Sequence, residues 1–242
     1  MSTEQRRSSR LSSIVALLAG FFLVACSLPA VIGQAIALAD GGAAAAVLRS
    51  GAALSDDDLA VARKRYGRAT RWQPLDSDLA FALARLDLRA GLAGDDAALQ
   101  VALGHFRGAA ALAPNYAFVW SQLARAAAAQ DAPAGEVASY LRLSYLLGRF
   151  EAPSMLARTP VAIAYWDELP EEQREATRQD LRRLYPERRF IQGLGEIYLS
   201  LGYRERVIFL DAAFEDADQR RRFVRYVLSA AGLKDLRKVL AP

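Results

Sequence analysis

From Leu11 to Ala39 the chain carries no charged residue, a run of 29 positions. About 20 apolar residues suffice to cross a bilayer as a helix, so this run predicts one membrane segment. Past Ser55 the pattern changes to apolar positions at helical spacing with polar faces between them. Ser55-Asp56-Asp57-Asp58 sets a capping Ser before three acids that suit the positive end of a helix, and Asp58 can reach back to the cap. That helix is expected to reach about Thr70. The next runs from Ser77 to about Ala90 on a stripe of Leu79, Leu83, Leu86 and Ala90, with Gly91 and Gly94 as breakers. Asp95-Asp96 start its partner, which ends before Pro114. Further helices are expected from Ala117, over 134–148 with Gly148 at the end, and up to Tyr165-Trp166 after a kink or restart at Pro160. Pro170-Glu171-Glu172 opens another, which stops before Pro186. A pair over 188–201 and 204–214 follows, with Gly202 between its members. A basic helix over 216–231 closes at Gly232, and Leu233–Leu240 adds a short one. No alternating Val/Ile/Thr run bounded by turn signals is present, so the fold class is all-α.

Two stretches repeat. Ala62, Tyr66, Ala69 and Pro74 have the same spacing as Ala102, Phe106, Ala109 and Pro114. Small Ala residues admit a neighbouring helix, the aromatic fills the space between helices, and Pro stops the chain from continuing as helix. Leu83-Ala84-Arg85 begins nine residues after Pro74, Leu123-Ala124-Arg125 begins nine after Pro114, and Trp120 stands three before Leu123. This pattern resembles the tetratricopeptide (TPR) repeat. The resemblance implies a right-handed stack of antiparallel helix pairs after one N-terminal transmembrane helix. The prolines lie 40 residues apart against a usual period of about 34, and the excess is assigned to an insertion in the Gly91–Asp96 turn. The division follows: a basic tail and membrane anchor or signal segment over 1–39, a linker over 40–54, TPR-like repeats over 55–153, and degenerate repeats with a capping helix over 154–242.

The segments Gly148-Arg149-Phe150-Glu151-Ala152-Pro153, Trp166-Asp167-Glu168-Leu169 and Asp180-Leu181-Arg182-Arg183 carry a second, coarser likeness. It is similar to the VpsP-like proteins, periplasmic helical-repeat proteins encoded with bacterial polysaccharide biosynthesis and export machinery. The likeness implies a protein of the bacterial cell envelope.

The N-terminal segment allows three readings. Arg6, Arg7 and Arg10 precede the apolar run and Asp40 follows it, which orients the N-terminus to the cytoplasm and the rest outside it. A single-pass anchor in the bacterial inner membrane with a periplasmic domain fits the length, although Pro29 and Gly33 would bend or shorten the helix. A lipoprotein fits Leu23-Val24-Ala25-Cys26, a lipobox-like run that holds the single Cys, so Cys26 is a candidate for lipidation. Cleavage after Ala37-Leu38-Ala39 is the third reading. All three export residues 40–242.

Composition narrows the chemistry. One Cys and one His exclude an internal disulfide, a Cys-x-x-Cys pair and a two-His metal site within one chain. The net charge of +4 arises from 31 basic and 27 acidic residues, interspersed, and without an aromatic-interleaved motif it does not point to nucleic acid. His105 reads as a solvated helix residue, Asp211 and Glu215 as an acidic face near Arg220–Arg222, and Gly193-Leu194-Gly195 as helical rather than a phosphate loop. No nucleophile–base pair or metal set emerges, so neither an enzyme nor a cofactor is expected. A polysaccharide-binding module would need a row of exposed aromatics, whereas Trp72, Trp120 and Trp166 are expected in helix seams. In TPR stacks the first helices line a concave groove. On that resemblance Phe81, Arg85 and Arg89 of one repeat and Ser121 and Arg125 of the next face the groove as a basic strip; the alternative is that these arginines only pair with Asp78, Asp87 or solvent. Arg forks suit carboxylates and phosphates. The expected function is a membrane-anchored scaffold that takes a partner protein of an envelope assembly in this groove. The alternative is a non-catalytic accessory subunit that binds polysaccharide or activates an enzyme.

Overall fold

The computed structural model describes residues 3–39 and 55–230 of the protein. The expected linker over 40–54, the Gly232 stop and the helix over Leu233–Leu240 lie outside these. Among the described residues there are eleven helices and no strand. They are α1 (Thr3–Ala37), α2 (Asp56–Trp72), α3 (Ser77–Leu92), α4 (Asp96–Leu112), α5 (Ala117–Ala128), α6 (Ala134–Leu147), α7 (Ala152–Ala164), α8 (Glu171–Leu184), α9 (Arg188–Ser200), α10 (Tyr203–Ala213) and α11 (Ala217–Ala230).

The caps follow from the sequence. Ser55 accepts the backbone N–H of Asp58, and its hydroxyl donates to the Asp58 carboxylate at 2.6 Å. Asp76 caps α3 through the N–H groups of Asp78 and Leu79, and Asp95 caps α4 through that of Ala98. Each side chain thereby satisfies donors that a helix start leaves open.

α1 has a span, Ala16–Ala37, long and apolar enough to cross a membrane, with almost none of it buried. It runs unbroken through Pro29, contrary to the expected bend or shortening at Pro29 and Gly33. Gly33 instead admits a close contact. A Cβ there would lie 2.3 Å from Gln73 Nε2, and that amide donates to the Ala30 carbonyl at 2.7 Å. Gln34 donates to Asp76 at 3.3 Å, and Ala37 is buried beside Leu59, Tyr66 and Leu79. The end of α1 is thus docked on α2 and the start of α3.

The core is three clusters in chain order. The first joins α1 to α2, α3 and the start of α4. The second runs from Phe81 and Leu88 of α3 through α4, α5 and α6 to Val161 of α7 and Leu169. The third runs from Met155 and Ile163 of α7 to Phe223 and Leu228 of α11. Such a row of clusters, each shared by neighbouring helices, is how a helical repeat buries apolar faces that a single helix pair cannot. Tyr66 and Phe106, the repeated aromatics, are both buried, at 4% and 0% exposure.

The 40-residue spacing has a different origin from the expected insertion. The turn between α3 and α4 is three residues, 93–95, and the helices themselves are long, at 16 and 17 residues. Gly91 is inside α3, where a Cβ would come within 2.8 Å of Leu99, so this glycine allows α3 and α4 to approach closely. Gly94, with φ of +110°, makes the turn. Pro153 sits in the first turn of α7, and α7 continues through Pro160 to Ala164.

Candidate functional site

The strip proposed from the repeats lies on α3 and α5, and its residues divide. Arg85 is half-buried, with its guanidinium over two rings, 5.8 Å from the centroid of Phe81 and 5.7 Å from that of Phe118. Phe81 is itself buried, meeting Phe106, Tyr116 and Phe118 at 5.8, 5.5 and 5.6 Å. It is the base on which Arg85 rests and not a groove-lining surface. Ser121 is fully buried, and its hydroxyl donates to the Phe118 carbonyl. It holds α5 and is not presented to a ligand.

Arg85, Arg89 and Arg125 are brought together. Arg85 stands in the electrostatic field of both others, and its pKa is lowered, mainly by burial and further by those two cations, against the opposing influence of Tyr116. Arg125 is exposed to solvent, yet burial lowers its pKa too. Among the described residues neither Arg89 nor Arg125 makes an ion pair. The nearby carboxylate of Asp87 is used elsewhere, by Arg63 and His105. Tyr116, 39% exposed, forms an aromatic edge to the strip, and burial raises its pKa. The arrangement is a hydrogen-bond-donating, cationic surface on an aromatic bed, suited to carboxylates.

Three further clusters were not visible in the sequence pattern. Asp87, 3% exposed, accepts from Arg63 Nε at 2.7 Å and meets His105 Nδ1 at 2.8 Å. His105 is therefore tethered to a buried carboxylate rather than simply solvated. A His–Asp pair is two of the three members of a hydrolytic triad, but among the described residues no nucleophile hydrogen-bonds the other ring nitrogen. Arg63, Asp87 and His105 tie α2, α3 and α4 together. The pKa of Arg63 is opposed by burial but raised on balance by Asp87 and Asp95.

The second cluster is a buried ion pair. Arg158 of α7, 1% exposed, grips Asp180 of α8 with Nε at 2.6 Å and Nη2 at 2.9 Å, and Nη1 donates to the Ser144 carbonyl of α6 at 2.7 Å. Its guanidinium lies 4.4 Å from the centroid of the Tyr145 ring. Burial raises the carboxyl pKa of Asp180, with Arg158 opposing. The third cluster lies at the edge of a cleft of about 440 Å³ between α6 and α8, lined by Arg142, Arg149 and Arg183 as well as Glu172 and Glu175. There Phe150 lies under Arg183, and Arg183 donates to the Arg149 carbonyl at 3.0 Å, so two of the segments behind the second sequence likeness meet in space.

The other candidates resolve as ordinary pairs. Asp211 pairs with Arg220, and Glu215, beyond the end of α10, pairs with Arg182 at 2.8 Å. Arg221 and Arg222 of α11 meet Asp218 and Asp216. No group of three metal-ligating side chains occurs among the described residues. Trp120 stacks on Tyr140 and donates to the Pro114 carbonyl, and Trp166 carries Arg178 on its face. Trp72, however, is 46% exposed at the end of α2, not in a seam. Cys26 is exposed on α1.

No protein-family model matches this chain, and no curated protein matches it.

Proposed function

We propose that this protein is a membrane-anchored, non-catalytic scaffold of the bacterial envelope, with a TPR-like stack on the periplasmic side that captures an acidic segment of a partner protein. One observation carries the reading: Arg85, Arg89 and Arg125 of two neighbouring helices stand in one electrostatic field, Arg85 over the rings of Phe81 and Phe118, and Arg89 and Arg125 make no ion pair among the described residues. Cations left unneutralised at one place attract an anionic partner and fix its register. The burial of both repeated aromatics supports the TPR-like assignment. The apolar, uncovered α1 supports the anchor, and the basic residues before it support an outward domain. The assembly we propose is one that handles polysaccharide, on the sequence likeness to VpsP-like proteins alone.

The test is capture from solubilised membranes with Arg125→Ala and with Arg85→Ala/Arg125→Ala. Both should stay helical, and the double variant should lose most of the partner, with loss also on raising salt, because screening weakens exposed charge contacts. Arg→Lys at both sites should restore little, since the bidentate fork is lost while the charge remains. A folded double variant that captures its partner at wild-type strength removes the strip from the binding face.

A further inference from the structure

At the end of its Ala16–Ala37 span, α1 forms one wall of a cleft of about 650 Å³ whose other wall is α2. The α1 side contributes Ile32 and Ile36, and α2 contributes Val61, Lys64, Arg65 and Arg68. These four α2 positions are spaced i, i+3, i+4 and i+7, so they form one face of the helix. The opposite face, with Leu59, Ala62, Tyr66 and Ala69, is buried in the core. The cleft is thus apolar on one side and cationic on the other, with no acid lining it. Among the described residues no carboxylate pairs with Lys64 or Arg68.

Depth fixes what reaches this place. The uncharged run begins at Leu11, and about 20 helical residues fill the hydrocarbon layer. Ile32 and Ile36 lie in the last two turns of the Ala16–Ala37 span, the end that meets the headgroups on the side of the repeat domain. The contacts of Gln73 with Ala30 and of Gln34 with Asp76 hold α2 against this exit. Trp72, exposed at the end of α2, is the residue type that prefers such an interface. The extra length of the apolar run beyond a simple span is then explained, because its last residues are the docking face and the apolar wall of the cleft.

We propose that this cleft binds an anionic phospholipid, with the headgroup phosphate on Lys64, Arg65 and Arg68 and the start of an acyl chain against Ile32, Ile36 and Val61. The inference rests on α1 spanning the membrane. The bound lipid fixes the repeat domain against the bilayer and sets the height at which the α3–α5 strip is displayed.

The experiment uses the full chain, extracted from membranes, delipidated in an uncharged detergent and titrated with phosphatidylglycerol or phosphatidylcholine, with bound lipid counted by native mass spectrometry. The variants are Lys64→Gln/Arg68→Gln, which changes only exposed positions, and Lys64→Gln/Arg65→Gln/Arg68→Gln. The control is Arg221→Gln/Arg222→Gln on α11. Wild type should retain one phosphatidylglycerol in preference to phosphatidylcholine, and millimolar inorganic phosphate should not displace it. Each cation near an anionic headgroup is worth about fivefold in affinity, so the double variant should bind at least tenfold more weakly and the control as wild type. Equal retention of the two lipids, an unchanged double variant, or displacement by free phosphate overturns the proposal. Carbonate washing of the source membranes separates the two failures. Release of the protein there refutes the spanning helix itself, whereas a retained protein without lipid preference refutes the cleft alone.

Discussion

Phe106 has no exposed surface and touches Phe81 across the α3–α4 seam, so Phe106→Ala is expected to cost about 3–5 kcal/mol through lost burial and the cavity left behind. The midpoint of urea unfolding followed by circular dichroism measures it. Arg158 is the larger test at this scale. Replacing it by Met leaves Asp180 buried without its bidentate partner, and breaking such a pair costs about 3–5 kcal/mol at neutral pH. Acidification should relieve part of the loss. Burial already raises the carboxyl pKa of Asp180 in the folded protein, so without Arg158 the folded state favours the protonated acid, and the penalty grows as pH rises through that raised value. A uniform loss at pH 5 and pH 7 contradicts this. Phe106 and Tyr66 are legible in the sequence because the Ala–aromatic–Ala spacing repeats. Arg158–Asp180 and Arg63–Asp87 are not, because each joins separate helices, 22 and 24 residues apart, and no local periodicity marks which charge will meet which.

The helices themselves are the most legible level. Ser55, Asp95 and Pro170 mark starts by chemistry that acts within one turn. Glycine and proline break these helices less than their spacing predicts, since Pro29, Gly91 and Pro160 all lie inside helices. Gly33 and Gly91 lie inside helices because another side chain needs their missing Cβ, a tertiary reason that sequence spacing does not reveal. α8 shows an effect confined to one element. Arg178 bonds Glu171 at 2.8 Å and Glu175 at 3.0 Å, and Arg174 adds to the hold on Glu171. The Arg178 hydrogen bonds are the main reason both carboxyl pKa values fall below the usual 4.5. Groups depressed on folding stabilise above their unfolded pKa and lose that contribution as pH drops through the folded value. The stability of the wild type should therefore decline below about pH 4.5, and Glu171→Gln/Glu175→Gln should flatten that decline in unfolding midpoints measured from pH 6 to pH 3.

For the whole molecule, α4 carries an exposed residue, Val101, outside the strip on α3 and α5. α1 anchors the first core cluster, and the closing α11 buries Phe223, Val224, Val227 and Leu228 while its arginines pair with local acids. Repeat equivalence relates Arg85 to Arg125, with Arg89 one turn on, and Arg85 stands in the field of both other cations. It misplaced Phe81 and Ser121 as accessible because equivalence gives a helix position, not the side chains of the next helix that cover it. A photo-reactive amino acid at Tyr116, on the edge of the strip, measures the central claim directly, with the same residue at Val101 as the comparison. Ultraviolet irradiation of intact cells should yield one partner adduct from position 116, lost when Arg85 and Arg125 are replaced by Ala, and none from position 101. An adduct from position 101 with none from position 116 would contradict the account and move the binding face to α4.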